Sequence, residues 1–131
     1  MTAERERPLL LVAEDERDIL NLIAIQLERA GFDVVTAPDG AEALRLAKEE
    51  HPDLALLDVM MPHLDGFEVT DAIKSGEETE GMPVILLTAR VQDADLERGA
   101  EVGADDYIKK PFDPDELRDR IERVLQAKAT A

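Results

Sequence analysis

Three short stretches of the chain are apolar from end to end: Leu9-Leu10-Leu11-Val12-Ala13, Leu54-Ala55-Leu56-Leu57 and Val84-Ile85-Leu86-Leu87. None alternates with polar residues, as a strand with one wet face would. Runs of this length without a polar side suit strands covered on both faces, as in a parallel sheet held between helices. Two weaker candidates, Phe32 to Thr36 and Tyr107 to Ile108, would bring the set to five.

Helical patterns fill the intervals. Ile19, Leu22, Ile23, Leu27 and Ala30 recur at i, i+3, i+4, i+8 and i+11, and Gly31 follows where a helix stop places glycine. Leu117, Ile121, Val124 and Leu125 repeat the pattern in the last helix, which is entered through Asp113-Pro114, an N-cap followed by proline at the first helical position. Ala41 to Glu50 and roughly Gly66 to Ser75 supply two more. The fourth helix, about Ala94 to Val102, has only Leu96 and Val102 as large apolar residues and carries Gly99 inside it. Little packing secures it, so it is the element expected to be mobile.

Strands alternating with helices imply parallel βαβ units with right-handed crossovers. The expected fold is α/β, a flavodoxin-like (βα)5 doubly wound parallel five-stranded sheet in the order 2-1-3-4-5. It should occupy residues 8–127, with 1–7 and 128–131 as flexible termini.

Composition narrows the partners. The 131 residues leave room for one core, and a hydrophobic content of 44% separates the chain from disordered ones. Acidic residues outnumber basic ones 31 to 15, giving a formal net charge of -16, opposite in sign to the footprint of a nucleic-acid or anionic-membrane binder. Neither is expected as a direct partner. The lack of cysteine excludes disulfides, thiolate metal sites and cysteine nucleophiles. No apolar run approaches the roughly 20 residues of a membrane span, and the polar start from Met1 to Arg7 has no signal-peptide core, so a cytoplasmic location is expected.

Open α/β sheets bind ligands beyond the carboxyl ends of their strands, where the strand order reverses. Here strand one runs into Glu14-Asp15-Glu16, strand three ends at Asp58, strand four at Thr88, and strand five runs into Lys110-Pro111. Strands one and three flank the reversal, so their carboxylates should face each other. Such a group is stable only with a cation, a shared proton or a lysine nearby. An all-oxygen set suits Mg2+, with Mn2+ as the substitute. Lys110 and the Thr88 hydroxyl add a cation and a donor on the far side of Asp58. These are the parts that hold the equatorial oxygens of a transferring phosphoryl group, with a carboxylate as the attacking atom. Singly, each residue has a plainer reading: Asp58 and Thr88 as caps, Glu14 and Asp15 as helix-dipole acids, Lys110 as surface charge. Capping preferences do not readily deliver all of them to four strand ends at once.

Leu11-Val12-Ala13-Glu14-Asp15-Glu16, Leu56-Leu57-Asp58-Val59-Met60-Met61-Pro62 with Asp65-Gly66, Leu86-Leu87-Thr88-Ala89 and Gly103-Ala104-Asp105-Asp106-Tyr107-Ile108-Lys109-Lys110-Pro111-Phe112 are similar to the signatures of receiver domains of bacterial two-component response regulators. The resemblance covers about residues 8 to 127, with four separated motifs in order. It implies that Asp58 is the phosphoacceptor, charged from a sensor histidine kinase or a histidine phosphotransfer protein. It implies that Glu14, Asp15, Asp58 and the backbone carbonyl of Met60 hold Mg2+, and that Thr88 and Lys110 meet the phosphoryl oxygens. It further implies a cis Lys110-Pro111 bond and a switch pair, Thr88 and Tyr107, that reshapes the face of helix four, strand five and helix five for a downstream effector. Glu14 stands where the family more often has aspartate, and its longer arm is expected to ligate through a water or shift the ion. Met60 and Arg90 hold positions that tune the lifetime of the phosphoryl group in the family.

Two rivals are weighed against this reading. A haloacid-dehalogenase-type phosphohydrolase needs a second aspartate two residues after the first, where this chain has Met60, which transfers no proton. A receiver-like module working without phosphorylation is disfavoured by the intact Glu14, Asp15, Asp58, Thr88 and Lys110. Dinucleotide binding lacks its glycine-rich turn. Asp106, Glu116 and Arg120 fit the charged dimer face of winged-helix regulators, but Leu96 and Ala127 break the pattern, so a monomer or weak dimer is expected, either stand-alone or excised from a longer protein.

Overall fold

The computed structural model of the chain describes residues 6–89 and 93–130. The elements run β1 (Leu9–Ala13), α1 (Arg17–Arg29), β2 (Asp33–Ala37), α2 (Gly40–Glu50), β3 (Leu54–Asp58), α3 (Gly66–Ser75), β4 (Val84–Thr88), α4 (Asp93–Val102), β5 (Asp106–Lys109) and α5 (Pro114–Thr130). The strands form one sheet in the order β2-β1-β3-β4-β5, and every pairing is parallel.

The missing alternation has its cause in the two cores. Leu10, Val12, Leu54, Leu56, Ile85 and Leu87 point to one face, where Leu20, Ile23 and Leu27 of α1 and Leu117 and Ile121 of α5 cover them. Leu11, Ala13, Ala55, Leu57, Val84 and Leu86 point to the other, against Ala43 and Ala47 of α2 and Phe67, Val69 and Ile73 of α3. Successive residues serve opposite cores, so both must be apolar. All five residues of β3 and of β4 are buried, whereas the edge strand β2 exposes Asp33 and Thr36.

Helix ends follow their local chemistry. Gly31, with φ of 106°, reverses the chain after α1, and the Phe32 amide donates back to the Leu27 carbonyl at 3.1 Å. At α5 the Asp113 carboxylate accepts from the Asp115 amide at 2.8 Å.

One expectation is revised. Leu22 does not belong to the buried face of α1: it is 55% exposed, and Leu20, Ile23, Ala24 and Leu27 are the residues that pack inward. Helix α5 continues to Thr130, and the Arg7 guanidinium donates to the carbonyls of Glu28, Gly31 and Phe32. Among the described residues no helix is long and apolar enough to cross a membrane.

Candidate functional site

The ladder continues just past the strand ends and levels them into a rim. The Glu14 amide donates to the Ala37 carbonyl at 3.1 Å, Val59 to Leu87 at 2.9 Å and Lys110 to Thr88 at 2.8 Å. The register sets Ala13 opposite Leu57, Asp58 opposite Leu87 and Thr88 opposite Lys109. The residues after β1 and β5 and at the ends of β3 and β4 therefore share one edge of the sheet.

On that rim Glu14, Asp15 and Asp58 each place a carboxylate oxygen within 4.8 Å of the others. Glu14 is 1% exposed and Asp58 5%, while Asp15 is open to solvent. The Lys110 ammonium bridges the buried pair, 2.5 Å from Glu14 Oε1 and 3.1 Å from Asp58 Oδ1.

Burial is the largest influence on every member of this group. It pushes the Asp58 carboxyl up to about 7, with Glu14 adding to the rise and Lys110 opposing it. It works against ionising Glu14 too, but hydrogen bonds with Lys110, Asp58 and Asp15 outweigh it and hold that carboxyl below its ordinary value. Asp15 is raised by burial and by the adjacent Glu14. Lys110 is held above its usual value because its two carboxylate partners prevail over burial. One ammonium does not compensate three carboxylates, and the donors are all oxygen, so the group fits a hard divalent cation.

Gly66 makes this placement compatible with α3. A methyl group on Gly66 would sit 2.6 Å from the Asp58 carbonyl oxygen and 2.9 Å from Val59 Cα, so only glycine lets α3 begin against the end of β3. Asp65 caps that helix, accepting from the Glu68 amide at 2.8 Å, and the Glu68 carboxylate accepts from the Asp65 amide at 3.1 Å. The Met60 side chain is 76% exposed and offers no proton where a phosphohydrolase would hold its second acid.

Thr88 is buried at the end of β4, and Tyr107 lies on β5 opposite Leu86, two residues earlier, so both belong to the α2–α3–α4 face. The Lys110-Pro111 peptide is cis, as expected. Lys109 and His63 are exposed, and Arg90 lies outside the described residues. The sequence reading missed the Glu14–Lys110 pair and the steric role of Gly66. A glycine opening a helix directly after an aspartate N-cap was the available signal for the second.

Residues 10–122 match the response regulator receiver domain family. A relative from Bacillus subtilis, the alkaline phosphatase synthesis transcriptional regulatory protein PhoP, is 45% identical over 117 residues, covering 89% of this chain and 48% of its own length. The DNA-binding dual master transcriptional regulator RpaA of Synechocystis is 42% identical over 119 residues, covering 91% and 49%. The chain spans about half the length of these curated relatives. Among solved structures, chemotaxis protein CheY4 of Vibrio cholerae superposes with a TM-score of 0.87 at 32% identity, over 90% of this chain and 98% of that one. The receiver domain of sensor histidine kinase PA1611 from Pseudomonas aeruginosa, solved with a magnesium ion coordinated in its active-site cleft, gives 0.85 at 32% identity, over 92% and 98%.

Proposed function

Because the chain belongs to the response regulator receiver domain family, a signalling family, we propose that it accepts a phosphoryl group on Asp58 from a sensor histidine kinase or a histidine phosphotransfer protein. The observation that carries this reading is the convergence of Glu14, Asp15, Asp58 and Lys110 on one rim of the sheet. An Asp58 carboxylate oxygen attacks phosphorus as the bond to the donor's imidazole nitrogen breaks. The bonding pair stays on that nitrogen, which a proton then neutralises, and an aspartyl phosphate remains. Only the ionised carboxyl attacks, and the Lys110 ammonium at 3.1 Å favours that form. Lys110 and the Thr88 hydroxyl then face the new phosphoryl oxygens as donors. Glu14, Asp15, Asp58 and the Met60 carbonyl would hold Mg2+, which when bound neutralises carboxylate and phosphoryl charge.

The protein donor meets an apolar apron beside the site. Ile19, Leu22 and Gln26 of α1 line a cleft with Ala89, Pro111 and Phe112, directly next to Lys110. Downstream, Thr88 and Tyr107 act as the switch that changes the α4–β5–α5 face. The net charge of -16 belongs to these 131 residues alone, and relatives of about twice this length are named as transcriptional regulators. A longer protein containing this domain would reach DNA through its other half.

Intact mass spectrometry tests the reading. With Mg2+ and a small-molecule phosphodonor the chain should gain one phosphoryl mass, and Asp58→Asn should gain none. An unmodified mass for both proteins would overturn it, and sustained hydrolysis of phosphate esters would point to the phosphohydrolase instead.

A further inference from the structure

Gly99 sits in the middle of α4, buried, in a helix with few large apolar residues. Glycine there costs helix stability, about 1 kcal/mol relative to alanine. Its space is taken by a side chain from another element. A methyl group on Gly99 would fall inside the van der Waals radii of the Tyr107 hydroxyl oxygen and of the ring carbon that bears it, with Cε2 at 3.0 Å. The nearest neighbours of the missing side chain all belong to that one residue.

We propose that the bare backbone at Gly99 is the seat of the Tyr107 ring, making residue 99 a positioning residue that couples α4 to the aromatic. With any side chain at 99 the ring loses this station, and α4 must shift or the ring must leave. The collision involves the tip of the Tyr107 phenol, which can leave only by turning about its own side-chain bonds. Tyr107 is anchored at its own backbone, its carbonyl accepting from Arg120 at 2.9 Å and its amide donating to the Asp106 carboxylate at 2.8 Å, so the ring rather than the strand must yield. The consequence for signalling rests on the phosphoacceptor reading: the seat is one of the two stations between which the switch moves.

The chain has one tyrosine and no tryptophan, so its intrinsic emission reports residue 107 alone. In the metal-free, unphosphorylated protein, Gly99→Ala should steepen acrylamide quenching of that emission. Its melting temperature should fall in the Tyr107 chain. In the Tyr107→Ala chain the same Gly99→Ala change should raise it by about 2–4 °C, through helix propensity alone. That reversal of sign is the signature of the seat, and a Gly99→Ala protein that fails to fold while the double variant folds is its extreme form. A rise of equal size in both backgrounds, with quenching unchanged, would overturn the proposal. These measurements need no phosphoryl group, so they stand apart from a missing Asp58 adduct. Where the adduct forms, the change in tyrosine emission on phosphorylation should be lost in Gly99→Ala, and its persistence would remove the switching role.

Discussion

Helices α3 and α4 each have ten residues and cover the same face of the sheet, but they are held in different ways. Five residues of α3 are buried, its first turn carries a reciprocal capping box, and its opening glycine presses on the backbone of Asp58. On α4, Leu96 is 39% exposed, and Val102 is only partly buried against the core. Among the described residues its side-chain ties include a long ion pair from Arg98 to Asp65 at 3.6 Å, that guanidinium over the Phe67 ring at 4.6 Å, and the phenol of Tyr107 in the Gly99 seat. Two of those ties land on the start of α3. One helix fixes the backbone at Asp58, and the other leans on the first through contacts that small movements can break.

The largest effect expected from this contrast is in the α3 core. Ile73→Ala, at a fully buried position, should lower the unfolding free energy by about 3 kcal/mol, while Leu96→Ala on α4 should change it by less than about 1 kcal/mol. Urea denaturation of the pair measures this, and equal losses would erase the distinction.

Next comes the charge at the foot of α3. The Asp58 carboxyl, raised by burial from 3.8 to about 7, keeps its proton in the folded chain through a range where the unfolded chain has lost it. Within that window the folded state binds more protons, so stability drains away as pH rises from about 4 to about 7. Asp58→Asn should therefore stabilise the metal-free protein by about 2 kcal/mol at pH 8 and much less at pH 4, as read by denaturant midpoints. A benefit that does not vary with pH would reject buried charge as the cause.

Smaller still is the cap. Asp65→Ala should cost about 1 kcal/mol and also release Arg98, loosening both helices in amide hydrogen exchange. Arg98→Ala should cost about 0.5 kcal/mol or less, with faster exchange confined to α4. Faster exchange in α3 as well would show that the dependence between the helices runs both ways.

Much of this was legible in the sequence, for reasons particular residues make plain. Strands buried on both faces betray themselves as uninterrupted apolar runs, and the residue at the end of such a run must sit on the rim, which located Glu14, Asp58 and Thr88; Lys110 followed from the weaker fifth strand. Leu22 was misplaced, although Ile19, Ile23, Leu27 and Ala30 do pack on the core, because Ile19, Leu20, Leu22, Ile23, Ile25 and Leu27 spread apolar character over too wide an arc for periodicity to fix its edge. Ile25, 48% exposed, shares that ambiguity with Leu22. The poverty of α4 was visible, but the seat for Tyr107 was not. A glycine in a weak helix reads as mere destabilisation until another element is seen to fill its place.

The Lys110–Glu14 bond joins residues 96 positions apart, from either side of the two strands that lie between β1 and β5. All five strands must emerge and pair before that bond exists. A copy lacking β5 would lack the lysine beside its acids, so the lysine-bridged charge cluster exists only once the first strand and the last have both been made and joined into one sheet.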